Sequence, residues 1–197
     1  MSNIHYVKPE QVEAMRDAAY HGSFGDRDDA IVTVLYDTGL RRAELEAINR
    51  DMIDLDAEEL RIPSRIQKDF PNDNSPKPAT FRLDPNGELR TVRTLRSYFD
   101  SRDDDSPALF PSRKADRMTG KGINEVVKRL ARRAEIRPYH QEGRGDPEDV
   151  TAHTLRHSVA WRMLRAEESN TIYHVRNRLR HSRVSTTEDR YDHFQTI

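Results

Sequence analysis

TAHTLRHSVAW, residues 151–161, reads as the opening of a helix that continues through Arg162, Met163 and Leu164. Leu155, Val159 and Met163 recur at helical spacing and face inward. His153 and Arg156 stand three residues apart, so they share a face offset from that stripe. Both fall in the first turn or so, where free backbone N–H groups and the helix dipole favour an anion. A phosphate there would meet a guanidinium fork and an imidazole. An ordinary polar first turn has the same spacing, so the pair is a site only if the rest of the chain supplies partners.

Working outward, the chain is mostly helical. Pro9 sits well at the start of a helix running to about Ala19. Residues 28–39 place Ile31, Val34 and Leu35 on one stripe, and Gly39 stops that helix. A short helix follows over 41–50. Residues 52–64 read as two short strands around an acidic turn, and 79–84 as a third. The polar, proline-rich stretch between them, 65–78, predicts an exposed hairpin tip. Helices resume over 87–99, with Leu89, Val92, Leu95 and Phe99 aligned. Another spans 122–134, with Ile123, Val126, Val127, Leu130 and Ala134 aligned. Residues 137–150 predict a polar loop, and 171–179 and 186–194 two last helices. The expected fold is α+β, mostly helical, with a small three-stranded antiparallel sheet near the N-terminal part. No repeat or low-complexity tract interrupts it, and 197 residues fit one domain, residues 1–197.

Composition excludes several classes of function. There is no cysteine, hence no disulfide, no thiolate nucleophile and no cysteine-ligated zinc. No run of eighteen apolar residues spans a membrane. The N-terminus lacks the apolar core of a signal peptide, so the expected location is the cytoplasm. The net charge of −1 hides an asymmetry: residues 1–60 carry 14 acidic and 6 basic side chains, leaving 20 acidic and 27 basic in the rest. Residues 174–183 hold four arginines and no acid. Such a surface suits a polyanion, although a solvated helix face has the same look. On this reading Arg176, Arg178, Arg180 and Arg183, with Lys128, Arg129, Arg132 and Arg133, are candidate DNA contacts.

Partners for the 153/156 pair do exist. In YDTGLRRAEL (36–45), Arg41 lies two residues past the helix-ending Gly39, at the start of the next helix. Glu44, one turn on, can hold a neighbouring basic group in place. RLRHSRVSTTEDRYDH (178–193) adds His181 and, ten residues later, Tyr191. His157 stands four residues from His153, a metal-binding spacing, but no carboxylate or cysteine completes a set, so no metal is expected. Trp161 is expected in the core. Tyr36, Tyr98, Tyr139 and Tyr173 read as packing or surface residues.

In this order and spacing the motifs resemble the catalytic domain of the tyrosine recombinases, the phage-integrase family, over nearly the whole chain. TGLRRAEL is similar to the first-arginine box, AHTLRHS to the H-x-x-R box, and LRHSRVSTTEDRYDH to the box holding a histidine and the nucleophile. The resemblance implies Arg41, His153, Arg156, His181 and Tyr191 as catalytic residues, with Glu44 as the acid behind them. It also implies a hairpin lysine after the first arginine: Lys68 fits best, with Lys77 the rival. Three departures stand out. The family usually carries an N-terminal DNA-clamping domain, which this stretch lacks. The His181–Tyr191 spacing is one longer than is usual. Only six residues follow Tyr191, where many relatives dock on a neighbouring subunit.

The implied chemistry is in-line attack on a phosphodiester of double-stranded DNA. Two arginines clamp the non-bridging oxygens as charge builds there, and His153 and His181 add hydrogen bonds. Tyr191 forms a 3′-phosphotyrosyl link. An unperturbed tyrosine has a pKa of about 10, so its neighbours must help it ionise. Lys68 protonates the leaving 5′-oxygen. Energy is kept in the protein–DNA link, so neither ATP nor metal is needed, and no cofactor is expected. Family recombination runs through a tetramer on DNA, so other recombinase subunits are possible partners. Two alternatives share much of the sequence logic: a type IB topoisomerase-like activity, and a non-cleaving DNA-binding regulator that keeps the fold.

Overall fold

Helix α2 (Gly25–Thr38) forms the centre of the molecule, packed against four other helices. The computed structural model describes residues 4–68, 76–84, 87–167 and 170–194. Before α2 comes α1 (Pro9–Ala19), and after it α3 (Arg42–Ala47). Strands β1 (Ile53–Asp54), β2 (Glu59–Ile62) and β3 (Ala79–Arg82) form a three-stranded antiparallel sheet in that order. Helices α4 (Thr91–Asp100) and α5 (Gly120–Arg133) follow, then a two-stranded ribbon of β4 (Tyr139–His140) and β5 (Gly143–Arg144). Helices α6 (Ala152–Arg165), α7 (Ile172–Leu179) and α8 (Val184–Tyr191) complete the order, and a 3₁₀ turn covers Asp192–Phe194. The expected mostly helical α+β fold with its small sheet is what forms. The three strands pair Leu60 with Phe81 and Ile62 with Ala79, so Leu60, Ile62 and Phe81 face the core while Arg61 and Arg82 face out. Most of the expected hairpin tip, residues 69–75, lies outside the described residues.

From Asp28 to Thr38 every residue of α2 is buried, its acids included. A buried carboxylate is tolerated only when paired and hydrogen-bonded. Arg16 Nε lies 2.7 Å from Asp29 Oδ1, and Arg27 Nη2 lies 2.8 Å from Asp28 Oδ1. Asp37 accepts from the Thr91 hydroxyl at 2.7 Å and from Arg178 Nη2 at 2.5 Å. The predicted stripe on α6 is buried at Leu155, Val159 and Met163, and α6 packs directly on α2.

Element ends differ from expectation for visible reasons. Helix α4 begins at Thr91 rather than Gly87, because the Asp84 carboxylate collects the N–H groups of Gly87, Leu89 and Arg90 into a loop. Helix α5 begins at Gly120, capped by the Thr119 hydroxyl, which accepts from the Gly122 N–H. The loop expected over 137–150 contains the β4–β5 ribbon, and Tyr139 exchanges two backbone hydrogen bonds with Tyr6. Trp161, expected in the core, is half-buried and stacks on Tyr6 at a centroid distance of 5.7 Å. The last helix stops at Tyr191, three residues before the expected end.

Candidate active site

The N-terminal ends of α3 and α6 and the α7–α8 turn meet around one open cleft. Arg41, Lys68, His153, Arg156 and His181 all line it, together with Arg42 and Arg190. Lys77 is not among the lining residues. Five cations and two imidazoles thus face one space, and among the described residues no acid is on its wall. That charge pattern suits a phosphate.

Each arginine is fixed from behind. Gly39 ends α2 in the left-handed region, with φ 65°. Its carbonyl accepts from Arg156 Nη1, while Arg156 Nη2 donates to the Leu179 carbonyl at 2.5 Å. Arg156 is only 2% exposed. Burial and then Arg41 push its pKa down to about 9, which still leaves it charged at neutral pH. Two of its five N–H bonds go to these carbonyls. Glu44 is fully buried and accepts from the Arg41 backbone N–H at 2.7 Å, from Arg41 Nη1 at 3.0 Å and from Arg180 Nη2 at 2.6 Å. Burial disfavours its charge, but Arg180 and Arg41 outweigh that and hold its pKa below the usual range.

Two of the N–H groups in the first turn of α6 already have partners within the fold. The Thr154 N–H goes to the Thr151 hydroxyl, and the Ala152 N–H goes to Asn124 Oδ1 at 3.1 Å. His153 is exposed to the cleft, and desolvation together with Arg156 lowers its pKa. His181 is buried, with Nδ1 2.8 Å from the Thr187 hydroxyl. Burial, then Arg156 and Arg41, push its pKa down to about 3, so it is neutral at pH 7.

Tyr191 is placed differently. It is fully buried beside the cleft and does not line it. Its hydroxyl lies 2.7 Å from His157 Nδ1. Burial, only partly offset by Arg156, Arg190 and Arg41, pushes its pKa up to about 12. Sequence reasoning weighed His157 only as a metal ligand and missed this contact. Among the described residues no three His, Cys, Asp or Glu side chains converge as a metal would require. Thr187, one turn before Tyr191 on the same face of α8, was also missed, as was Arg190.

Most of the candidate DNA-contact residues are engaged within the fold. Lys128 and Arg132 both reach Glu148, at 3.8 and 2.6 Å. Arg129 pairs with Asp28, Arg133 donates to the Ala18 carbonyl at 2.8 Å, and Arg178 pairs with Asp37. Arg180 is the partner of Glu44, Arg176 is half-buried, and Arg183 is exposed at the start of α8.

The sequence profile of the phage integrase family matches residues 5–196. The chain belongs to that family. It is 31% identical over 173 residues to tyrosine recombinase XerC of Herpetosiphon aurantiacus, covering 85% of this chain and 48% of that protein. It is 32% identical over 183 residues to tyrosine recombinase XerC of Chromohalobacter salexigens, covering 92% of this chain and 54% of that one. The chain thus spans about half the length of these relatives. Among solved structures, the XerA recombinase superposes with a TM-score of 0.70 at 26% identity, over 93% of this chain and 58% of that one. The Tn1549 transposon integrase, solved with transposon right end DNA, shares the fold: TM-score 0.72 at 15% identity, over 100% of this chain and 62% of that one. Among the described residues, no helix is long and apolar enough to cross a membrane.

Proposed function

We propose that this chain is the DNA-cleaving and DNA-rejoining catalytic unit of a site-specific recombinase. The observation that carries the proposal is the cleft itself: Arg41, Lys68, His153, Arg156 and His181 converge on one space beside Tyr191. A bound phosphodiester would receive N–H groups from Arg41 and Arg156, and hydrogen bonds from neutral His181 and from His153. Tyr191 Oη would attack phosphorus in line, forming the Tyr–O–P bond as the P–O5′ bond breaks. The phenol proton would pass to neutral His153, and Lys68 would give a proton to the departing 5′-oxygen. Reversal of these transfers with a new 5′-hydroxyl rejoins the strand, with no net consumption of energy. Arg42 and Arg190 add charge to the rim. Other recombinase subunits would assemble on the same DNA, which in a cell without a nucleus lies in the cytoplasm.

The test is a pool of nicked suicide duplexes of varied sequence, scored for an SDS-resistant protein–DNA adduct. The expected result is an adduct that Tyr191→Phe abolishes and Arg156→Ala reduces by orders of magnitude. DNA binding without any adduct would point instead to a non-cleaving binding module. Supercoil relaxation without strand exchange would point to topoisomerase-like activity.

A further inference from the structure

The nucleophile assigned above is fully buried and does not line the cleft. We propose that His157 is a positioning residue for Tyr191: its Nδ1 accepts the phenol hydrogen bond and holds the hydroxyl away from the cleft, so cleavage requires this bond to break. The inference rests on the reading of Tyr191 as nucleophile.

The geometry supports a specific hold rather than chance packing. The Oη–Nδ1 distance is 2.7 Å between two buried groups, where no water competes for the bond. The phenol ring is enclosed on several sides. His181 lies nearly parallel at 6.1 Å, Phe194 nearly parallel at 5.6 Å, and the His157 ring meets it edge-on at 5.5 Å. Phe194 in turn packs edge-on against Tyr6 at 4.9 Å, tying the turn after α8 to the N-terminal segment. Meanwhile Thr186 and Arg190, on the same helix, do line the cleft. Helix α8 therefore presents to the cleft the face adjacent to that of Tyr191. His157 also touches His153 edge-on at 4.3 Å, so it sits between the cleft histidine and the phenol.

The electrostatics say what kind of partner His157 is. Burial, then His153, Arg190, Arg156 and His181, push its pKa down to about 2. It is neutral at pH 7 and a poor base against a phenol pushed up to about 12; with its ring proton on Nε2, Nδ1 is the acceptor. Burial disfavours both the charged imidazole and the charged phenol, so proton abstraction by His157 in this arrangement is disfavoured, whereas a neutral hydrogen bond is favourable. The bond keeps Tyr191 protonated and retracted.

The test reads phenol accessibility in the DNA-free protein, so it does not depend on cleavage. Tetranitromethane nitrates accessible tyrosines, and trypsin releases Tyr191 in its own peptide after Arg190. His157→Phe keeps the ring but removes the acceptor; His157→Asn keeps an acceptor near the Nδ1 position. Nitration of Tyr191 should rise several-fold in His157→Phe and stay within about two-fold of wild type in His157→Asn. Exposed Tyr173 and buried Tyr36 serve as references for reagent and fold. Unchanged nitration in a folded His157→Phe protein would overturn the proposal, as would an equal rise in both variants. Should His157→Phe unfold, as Tyr36 nitration would reveal, ¹⁵N NMR of the wild-type histidines decides. An unprotonated Nδ1 at His157 is expected, and an Nδ1–H tautomer contradicts it. In the suicide-substrate assay His157→Phe should form adduct at least as fast as wild type. Faster nitration with cleavage slowed more than ten-fold would also overturn the proposal, by placing His157 in the chemistry.

Discussion

Glu44 Oε2 lies 2.6 Å from Arg180 Nη2, and the same carboxylate holds Arg41 by its side chain and its backbone. One buried acid therefore links the first cleft arginine to the α7–α8 turn, which leads into the helix of Tyr191. Glu44→Gln keeps the shape but leaves two guanidiniums short of a counter-charge. Losing one partner of a buried ion pair costs about 3–5 kcal/mol, and an isosteric amide recovers part of that. The expected loss is about 2–3 kcal/mol, or roughly 4–12 °C in Tm for a chain of this size. Cleavage should fall as well, because Arg41 loses its support. A variant with unchanged Tm and cleavage would show that Arg41 and Arg180 are held by something else.

Lys68 lines the cleft and Lys77 does not, so Lys68 is the lysine to test first. If Lys68 protonates the leaving 5′-oxygen, Lys68→Ala should slow cleavage of an ordinary phosphodiester by 10²–10⁴-fold. Replacing the 5′ bridging oxygen with sulfur removes the need for an acid, since a thiolate leaves unaided. Cleavage of that substrate should be nearly equal in Lys68→Ala and wild type, and Lys77→Ala should resemble wild type on both. A Lys68→Ala defect that persists on the sulfur substrate would assign the lysine to binding instead.

His157 and His181 both fold with pKa values far below the ordinary 6.5, at about 2 and about 3. In the unfolded chain both take up protons below pH 6.5, while the folded protein keeps them neutral. The stability they confer is fully present above pH 6.5 and is lost as pH falls towards those folded values. Each contributes a slope of up to about 1.4 kcal/mol per pH unit in that window. Urea unfolding at pH 7 and pH 5 should show wild type losing more stability than the double variant His157→Asn, His181→Asn. Equal losses would mean that these imidazoles are protonated in the folded state.

How much of this was legible in the sequence depends on what kind of partner each residue has. The α6 stripe and the ends of α1 and α2 follow from local periodicity and from Pro9 and Gly39, so they were readable. Arg41, His153, Arg156, His181 and Tyr191 were readable as motifs; the fold puts the first four on one cleft and Tyr191 buried beside it. The charge asymmetry was read as an outward basic surface, yet Asp28 with Arg129, Asp37 with Arg178 and Glu44 with Arg180 neutralise each other inside. Pairings across 101 to 141 residues leave no local trace. The Tyr191–His157 bond, across 34 residues, was hidden for the same reason. A histidine beside a motif arginine can be matched to a buried tyrosine only when the packing is known.

Gly39 ends α2 and also offers its carbonyl to Arg156, so it tests whether the clamp depends on backbone geometry. Its φ of 65° is costly for any residue with a Cβ, by about 1 kcal/mol. An added Cβ would also come within 2.5 Å of Leu179 Cδ2. Leu179 supplies the other carbonyl that holds Arg156. Gly39→Ala should therefore disturb both carbonyl partners of one guanidinium at once. The expected result is a loss of about 1–3 kcal/mol in urea unfolding and a cleavage defect larger than that stability loss accounts for at temperatures where the variant is folded. A 1 Å misplacement of a positioning group can cost about 10²-fold in rate. Gly39→Asn tolerates positive φ better but adds the same Cβ. Comparing the two variants separates backbone strain from the steric push on Leu179. If Asn restores stability but not cleavage, the push on Leu179 and hence on Arg156 is the cause. If it restores both, backbone strain is the cause, and the contact with Leu179 is relieved by rotation of the leucine.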